Sequence, residues 1–482
     1  MASGKQGRHE PSRRQFLNAA AMGGLTLGAL GPPAPRDPWR TEREVEYLAQ
    51  QVNRASSPTE LKITDLRIAE VTGIPFRCPI IRIDTNQGLS GYGEVRDAGP
   101  KEYALMLKSR ILGENPCNVE KIVRIIKQCG HHGRQGGGVS GVETALWDLA
   151  GRAYGVPVYQ MLGGRYRDRI RLYADTTASP DPHEFGKRMK ATRVDAGYTA
   201  LKMDLPIEFA LRNGEGLLVN TRAYGPVVGE PALRSQYSNV RGDYGQIDHP
   251  FTRIQITEKG LDRMEEYVSV MREYVGYEIQ LGIDHTGHFD KNEAIKLARR
   301  MEKYSLAYME DLVPWMYVDD WKAISDATTT PTMTGEDIFS LEGFKPLIDG
   351  RAVDIVHPDL GSTGGILESK RITDYATEHG VMTNYHYAGS PIGFYASVHA
   401  AAASQYFGIL EHHSVGEKKW YDMVAGDTTG VFDKGYTRVP DGPGLGFELN
   451  LEAVKANLVP GTGFFEPTPE WNEVRSWDRL WS

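Results

Sequence analysis

Eight short apolar runs in this chain each end on a polar side chain, and their spacing is nearly constant. The runs IRLYAD, TALKMD, IQLGID, LAYMED, PTMTGE, VDIVHPD, VMTNYH and FGILE end at Asp175, Asp204, Asp284, Glu310, Glu336, Asp359, His386 and Glu411. Successive tips lie 23 to 29 positions apart, except that Asp204 and Asp284 are separated by 80. A strand, a turn and a helix together take about 30 residues, and eight such units closing into a parallel barrel fill about 250. The spacing therefore predicts a barrel of βα units over residues 169–425. The long gap holds an insertion, residues 205–256, rich in Arg, Tyr, Asn and Gly, which reads as a lid or a subunit contact.

In such a barrel the C-terminal strand ends converge on one pocket, so acids at successive tips become neighbours. A lone Asp after a strand is ordinarily a helix N-cap. Three carboxylates on consecutive strands, Asp284, Glu310 and Glu336, would instead repel one another unless something positive sits among them. Hard oxygen ligands suit Mg2+, one per site, and no HExxH or CxxC pattern argues for zinc. The next two tips, Asp359 and His386, pair a carboxylate with an imidazole. An Asp that accepts from one ring nitrogen fixes the tautomer and makes the other nitrogen a general base near neutral pH.

Ahead of the barrel, LKITDLRIAEV and IIRIDTNQGLSGYGEV read as strands with a polar turn, followed by helical patterns in KEYALMLKSRIL, NVEKIVRIIKQ and GVETALWDLAGRAYG. Residues 61–168 thus read as a small α+β domain, and residues 426–482 as a C-terminal segment beyond the barrel. Residues 1–34 contain Arg13 and Arg14, then Phe16 and Leu17, then a short Gly/Ala-rich apolar run. This reads as a twin-arginine export signal, followed by a linker over 35–60, and implies a periplasmic or extracellular protein with no stable membrane span. With 482 residues, a formal charge of −8 and no long basic stripe, the chain gives no reason to expect a nucleic-acid partner. Its three cysteines make no complete disulfide set.

Several motifs resemble, in the same order, those of the enolase superfamily, mandelate racemase subgroup: GYGE at 91–94, SGVETALWDLAGRAYGVPVYQMLGG, MEDLVP, TGED and VHPDLGSTGG. The resemblance spans Leu61 to the C-terminus. It implies an α/β fold with a modified (β/α)7β barrel and an α+β capping domain built from the N-terminal region and the C-terminal tail. It also implies Mg2+ on Asp284, Glu310 and Glu336, a His386–Asp359 base, and Glu411 beside the developing oxyanion. The superfamily's chemistry is removal of a proton α to a carboxylate, giving an enediolate stabilised by the metal.

The pattern also departs from the subgroup. Its racemases carry Lys-x-Lys on the second strand, whereas here Lys202 is kept and Asp204 replaces the second lysine. Loss of the opposite-face base argues for elimination with one base, His386, over simple proton transfer. The expectation is a Mg2+-dependent hydro-lyase that dehydrates a hydroxylated, sugar-type carboxylic acid to a 2-keto-3-deoxy acid. The alternatives are a racemase, epimerase or cycloisomerase on a related carboxylate, and a non-catalytic exported carbohydrate-binding protein. His285 and His288, just past Asp284, are candidate leaving-group acids. His131, His132 and Arg134, in CGHHGRQGGGVSG, are candidates to read the distal end of the substrate. A homo-oligomer is expected.

Overall fold

The computed structural model describes residues 57–175, 179–205, 217–219, 254–284, 290–426 and 431–473. Its N-terminal layer is an antiparallel three-stranded sheet of Ile63–Val71, Cys78–Thr85 and Ser90–Glu94. Gly88, at φ 78°, turns the chain between the second and third of these strands. The helix Gly138–Tyr154 lies across the sheet. Its approach is close enough that a Cβ on Gly93 would sit 1.9 Å from the Gly141 carbonyl oxygen, which is why GYGE alternates glycine. Backbone bridges from Ala69 to Phe464 and from Val71 to Leu458 bring the C-terminal segment back onto this sheet. The capping layer is therefore built from both ends of the described chain.

The barrel strands are, in order, Arg169–Ala174, Ala200–Asp204, Gln280–Asp284, Tyr308–Glu310, Thr332–Thr334, Ile355–Val356, Met382–Tyr385 and Phe407–His412. All neighbouring pairs are parallel, and the eighth strand closes the ring on the first through Leu410 opposite Leu172. Each of the first seven strands is followed by a helix of eight or more residues before the next begins, from Pro182–Met189 to Pro391–Ala402. After the eighth comes only the five-residue helix Lys418–Asp422, so the architecture is (β/α)7β.

Burial explains why the barrel strands read as apolar runs without alternation. Strands of a parallel barrel are covered on both faces. The second strand is buried at every residue. Tyr173, Ala200, Tyr308, Met333, Ile355 and Ile409 form a separate buried cluster contributed by strands all around the ring. This is the packed floor expected of a barrel that is a core and not a pore.

Buried acids join cap to barrel. Glu94 accepts backbone hydrogen bonds from Ser390 (3.0 Å) and Gly393 (3.1 Å), at the start of the helix Pro391–Ala402. Glu143 accepts from Ile366 N (2.7 Å) and Leu367 N (2.9 Å), at the start of the helix Ile366–Glu378. Carboxylates at helix N-termini satisfy amides that the helix itself leaves open. Burial pushes both acids up to about 8.

Candidate active site

At the C-terminal mouth of the barrel the strand tips meet. Lys202 points up from the second strand and is 1% exposed. Its Nζ lies 2.7 Å from Glu411 Oε1, 3.1 Å from Asp284 Oδ2 and 3.6 Å from Glu310 Oε2. Burial opposes its charge, yet Glu310 and Glu411 hold its pKa well above that of an ordinary lysine. Asp204 is buried two residues on, opposite Asp284 in the strand register.

Oxygen ligands cluster around Glu310. Carboxylate oxygens of Asp284, Glu310 and Asp311 lie within 4.8 Å of one another, and so do ligand atoms of Glu310, Glu336 and His357. Burial, then the charge of Asp284, push the Glu310 carboxyl well above its usual range. Neither Glu310 oxygen has an aligned hydrogen-bond donor among the described residues, although His357 Nδ1 approaches Oε1 to 2.6 Å. A fully buried carboxylate left in this state costs free energy unless a cation meets it. Asp284 and Asp311 in one group and Glu336 in the other, both sharing Glu310, offer carboxylate oxygens, a donor chemistry that fits a hard divalent cation.

His386 follows the seventh strand, and a backbone bridge between Asp359 and His386 sets the two side chains together. His386 Nδ1 is 2.5 Å from Asp359 Oδ2. Its Nε2 faces Glu336 Oε2 at 3.2 Å and Glu411 Oε2 at 3.4 Å. Asp359 also accepts from Gly361 N, so it caps the turn after its strand as well as orienting the imidazole. Burial lowers the imidazole's proton affinity, but Glu336, Glu411 and Asp359 raise its pKa to about 10. Glu336 is the largest of these charges, so a cation on Glu336 would bring His386 back toward neutrality. Glu411 is fully buried; burial would raise it, but Lys202, His413 and His386 hold it well below the ordinary carboxylate range.

Two histidines in the cluster carry no role in the sequence reading. His357 is completely buried and shares its Nε2 with the Tyr173 hydroxyl (3.0 Å). Burial lowers it to about 3, so it is a neutral ring beneath Glu310. His413 contacts Asp175 Oδ2 through Nδ1 (2.7 Å) and faces Glu411 Oε1 through Nε2 (3.1 Å). The signal for it was present: Asp175 and Glu411 are tips of the first and eighth strands, which closure makes neighbours.

The cap's contribution differs from expectation. The Arg134 guanidinium donates to the carbonyls of Lys127 (2.8 Å) and Gln128 (3.0 Å), at the end of the helix Val119–Cys129. It is a helix C-cap there, because the last carbonyls of a helix need donors. Arg96, two residues past GYGE, is the cap arginine that reaches the acids, at 2.5 Å from Asp337 Oδ1 and 3.9 Å from Glu336 Oε1. His131 and His132 belong to the short helix His131–Gly133, where the His132 side chain is exposed. His285, His288, the export signal and most of the 205–256 insertion lie outside the described residues.

Comparison with known proteins matches both parts of the chain. Residues 184–454 match the family described as enolase C-terminal domain-like, and residues 49–163 match the mandelate racemase/muconate lactonizing enzyme N-terminal domain. A D-xylonate dehydratase from Haloferax volcanii is 30% identical over 415 residues, covering 84% of this chain and 91% of that protein. A D-galactonate dehydratase family member from Salmonella virchow is 29% identical over 436 residues, covering 87% and 98%. Among solved structures, a mandelate racemase/muconate lactonizing enzyme-like protein from Rubrobacter xylanophilus superposes with a TM-score of 0.71 at 29% identity, covering 84% of this chain and 99% of that one.

Proposed function

Because the chain belongs to the mandelate racemase and muconate lactonizing enzyme family of the enolase superfamily, we propose that it is a hydro-lyase dehydrating a sugar acid to a 2-keto-3-deoxy acid. The observation that carries this reading is the His386–Asp359 contact, with His386 Nε2 turned into the same acid-lined mouth as Glu336 and Glu411. Asp284, Glu310 and Glu336 would hold Mg2+, which supplies positive charge against the second negative charge that forms on the substrate carboxylate when its α proton leaves. His386 Nε2 takes that proton, while Asp359 keeps Nδ1 protonated and the ring in place. Lys202 holds Glu411 ionised and fixed beside the reacting carbons. Asp204, in place of a second lysine, leaves the second strand with Lys202 but no second cationic acid–base group, which favours elimination over racemisation. Relatives named for D-xylonate, D-galactonate and D-gluconate support a short polyhydroxy acid as substrate. Export by the twin-arginine route completes the reading. No helix among the described residues is long and apolar enough to cross a membrane.

The test is incubation of the full chain with D-xylonate, D-galactonate and D-gluconate in D2O with Mg2+. Keto-acid release from at least one acid is expected, lost on chelation and lost in His386→Asn. Deuterium exchange at C2 with no keto acid from any of them would replace the lyase with an epimerase. Unchanged turnover in His386→Asn would refute the base.

A further inference from the structure

For the acid that protonates the departing hydroxyl, the sequence offers His285 and His288, and both lie outside the described residues. Side chains alternate along a strand, so Glu411 and His413 point into the barrel mouth while His412 points away. His412 is indeed stacked on Phe432 (4.9 Å between ring centroids), outside the acid cluster. His413 lies one step beyond Glu411, edge-on to Phe76 of the cap at 5.2 Å. It therefore sits between floor and cap, where the carbons beyond the substrate carboxylate must lie.

His413 repeats the arrangement of His386. Each imidazole has its Nδ1 on an aspartate, Asp175 or Asp359, and each aims Nε2 at a different oxygen of Glu411. Their ring centroids are 6.1 Å apart. The difference lies in the partners. His386 also faces Glu336, one of the three proposed metal ligands, whereas the charges against His413 are Asp175 and Glu411, which are not. A carboxylate oxygen thus lies within 3.1 Å of each ring nitrogen of His413, a setting that favours the doubly protonated ring. Burial opposes that charge, but Asp175 and Glu411 keep its pKa well above an ordinary histidine's. Glu411 is already matched by Lys202, so the cluster is better suited to passing a proton than to holding a second cation.

We propose that His413, oriented by Asp175, is the catalytic acid that protonates the leaving β-hydroxyl; this rests on the dehydratase reading. His386 takes the C2 proton and the electrons of that bond move into the carboxylate as an enediolate; they then form C2=C3 as the C3–O bond breaks, and His413 Nε2–H gives its proton to the departing oxygen as water. In ketonisation the enol hydroxyl returns a proton to His413, and His386 delivers its proton to C3. Both imidazoles end as they began.

The variant is His413→Asn, with Asp175→Asn as a second that keeps the imidazole but removes its anchor. Both are assayed with Mg2+ in D2O on D-xylonate, or on whichever acid of the panel the wild type dehydrates fastest, and on its 3-deoxy-3-fluoro analogue, whose fluoride leaves without a proton. His413→Asn should lower keto-acid release by about 10²- to 10⁴-fold. C2 deuterium exchange should stay within about threefold of wild type, and the fluoro acid should be eliminated within about tenfold of the wild-type rate. Asp175→Asn should fall between the two on the hydroxy acid and match wild type on the fluoro acid. Full turnover in His413→Asn, or loss of exchange and fluoride release together with the hydroxy activity, overturns the assignment. A wild type that forms no keto acid from any acid tested overturns the dehydratase reading itself, and the assignment falls with it.

Discussion

Lys202 is the single lysine among the acids at the barrel mouth in the described residues, and removing it should expose what those acids cost. Its Nζ contacts Asp284 at 3.1 Å, Glu310 at 3.6 Å and Glu411 at 2.7 Å. At an effective dielectric constant of about 20, each contact is worth about 5 kcal/mol of gross attraction, most of it offset by taking the charges out of water. Removing one partner from a buried pair leaves the other uncompensated and costs about 3–5 kcal/mol. In metal-free protein, Lys202→Met should therefore lose about that much stability at pH 8. The loss should depend on pH, with a definite sign. Glu411 is held well below its unfolded value, after burial, chiefly by Lys202, so its stabilising contribution is present above an unfolded pKa of about 4.3 and lost as pH falls through its folded value. Without Lys202 that contribution shrinks, and Glu310, already raised by burial and by Asp284, rises further. A raised acid stabilises at low pH and loses that contribution as pH climbs. The deficit of Lys202→Met should then grow between pH 5 and pH 8. Urea unfolding of both proteins in chelator, across that range, measures it. A deficit under about 1 kcal/mol at pH 8, or one equal at both ends, would refute the picture of Lys202 as the counter-charge.

Two further outcomes follow from the same contacts. Asp359→Asn keeps the size of the side chain but no longer favours the proton on His386 Nδ1; kcat should fall by roughly 10²-fold or more with little change in KM, measured on the best acid of the panel. Glu143→Ala removes the acceptor for two backbone amides, the buried Ile366, worth about 1–3 kcal/mol when left open, and the part-buried Leu367, worth less. Urea unfolding should show the loss, and hydrogen exchange should accelerate at those two amides before the rest of their helix.

How much of this was legible in sequence follows from what kind of physics sets each feature. The strand period and the tip residues are local properties, and all eight runs from IRLYAD to FGILE are strands of one closed parallel barrel. Glycine alternation in GYGE was visible too, though its reason, the 1.9 Å that a Gly93 side chain would leave to Gly141, belongs to a contact across the cap. Partners distant in sequence were harder. His413 lies two residues past a named tip, but its aspartate follows the first strand and meets it only through closure. Arg134 shows the limit of a local reading: a cationic loop residue reads the same whether its guanidinium faces a substrate or, as its bonds to Lys127 and Gln128 show, the last carbonyls of its own helix. Arg96 was overlooked for the converse reason: nothing local distinguishes a surface arginine after a strand from one that the cap swings over Glu336 and Asp337.

The site works as one electrostatic unit because its floor is packed with buried side chains. Tyr173 and Tyr308 fill the barrel beneath Lys202, whose ammonium lies 5.7 Å over the Tyr173 ring, so the acids have a low-dielectric setting on that side. Asp284 and Glu310 then answer to Lys202 on one side and to whatever cation they hold on the other, while Glu411 answers to Lys202 and to both imidazoles. A proton gained at His386 or given up at His413 changes the balance at Glu411, and through Lys202 at the two acids that Lys202 also touches. Groups sharing one partner in this way do not contribute additively. On the proposed function, a cation held by Asp284, Glu310 and Glu336, together with charged Lys202, would match the acids that an anionic substrate has to approach.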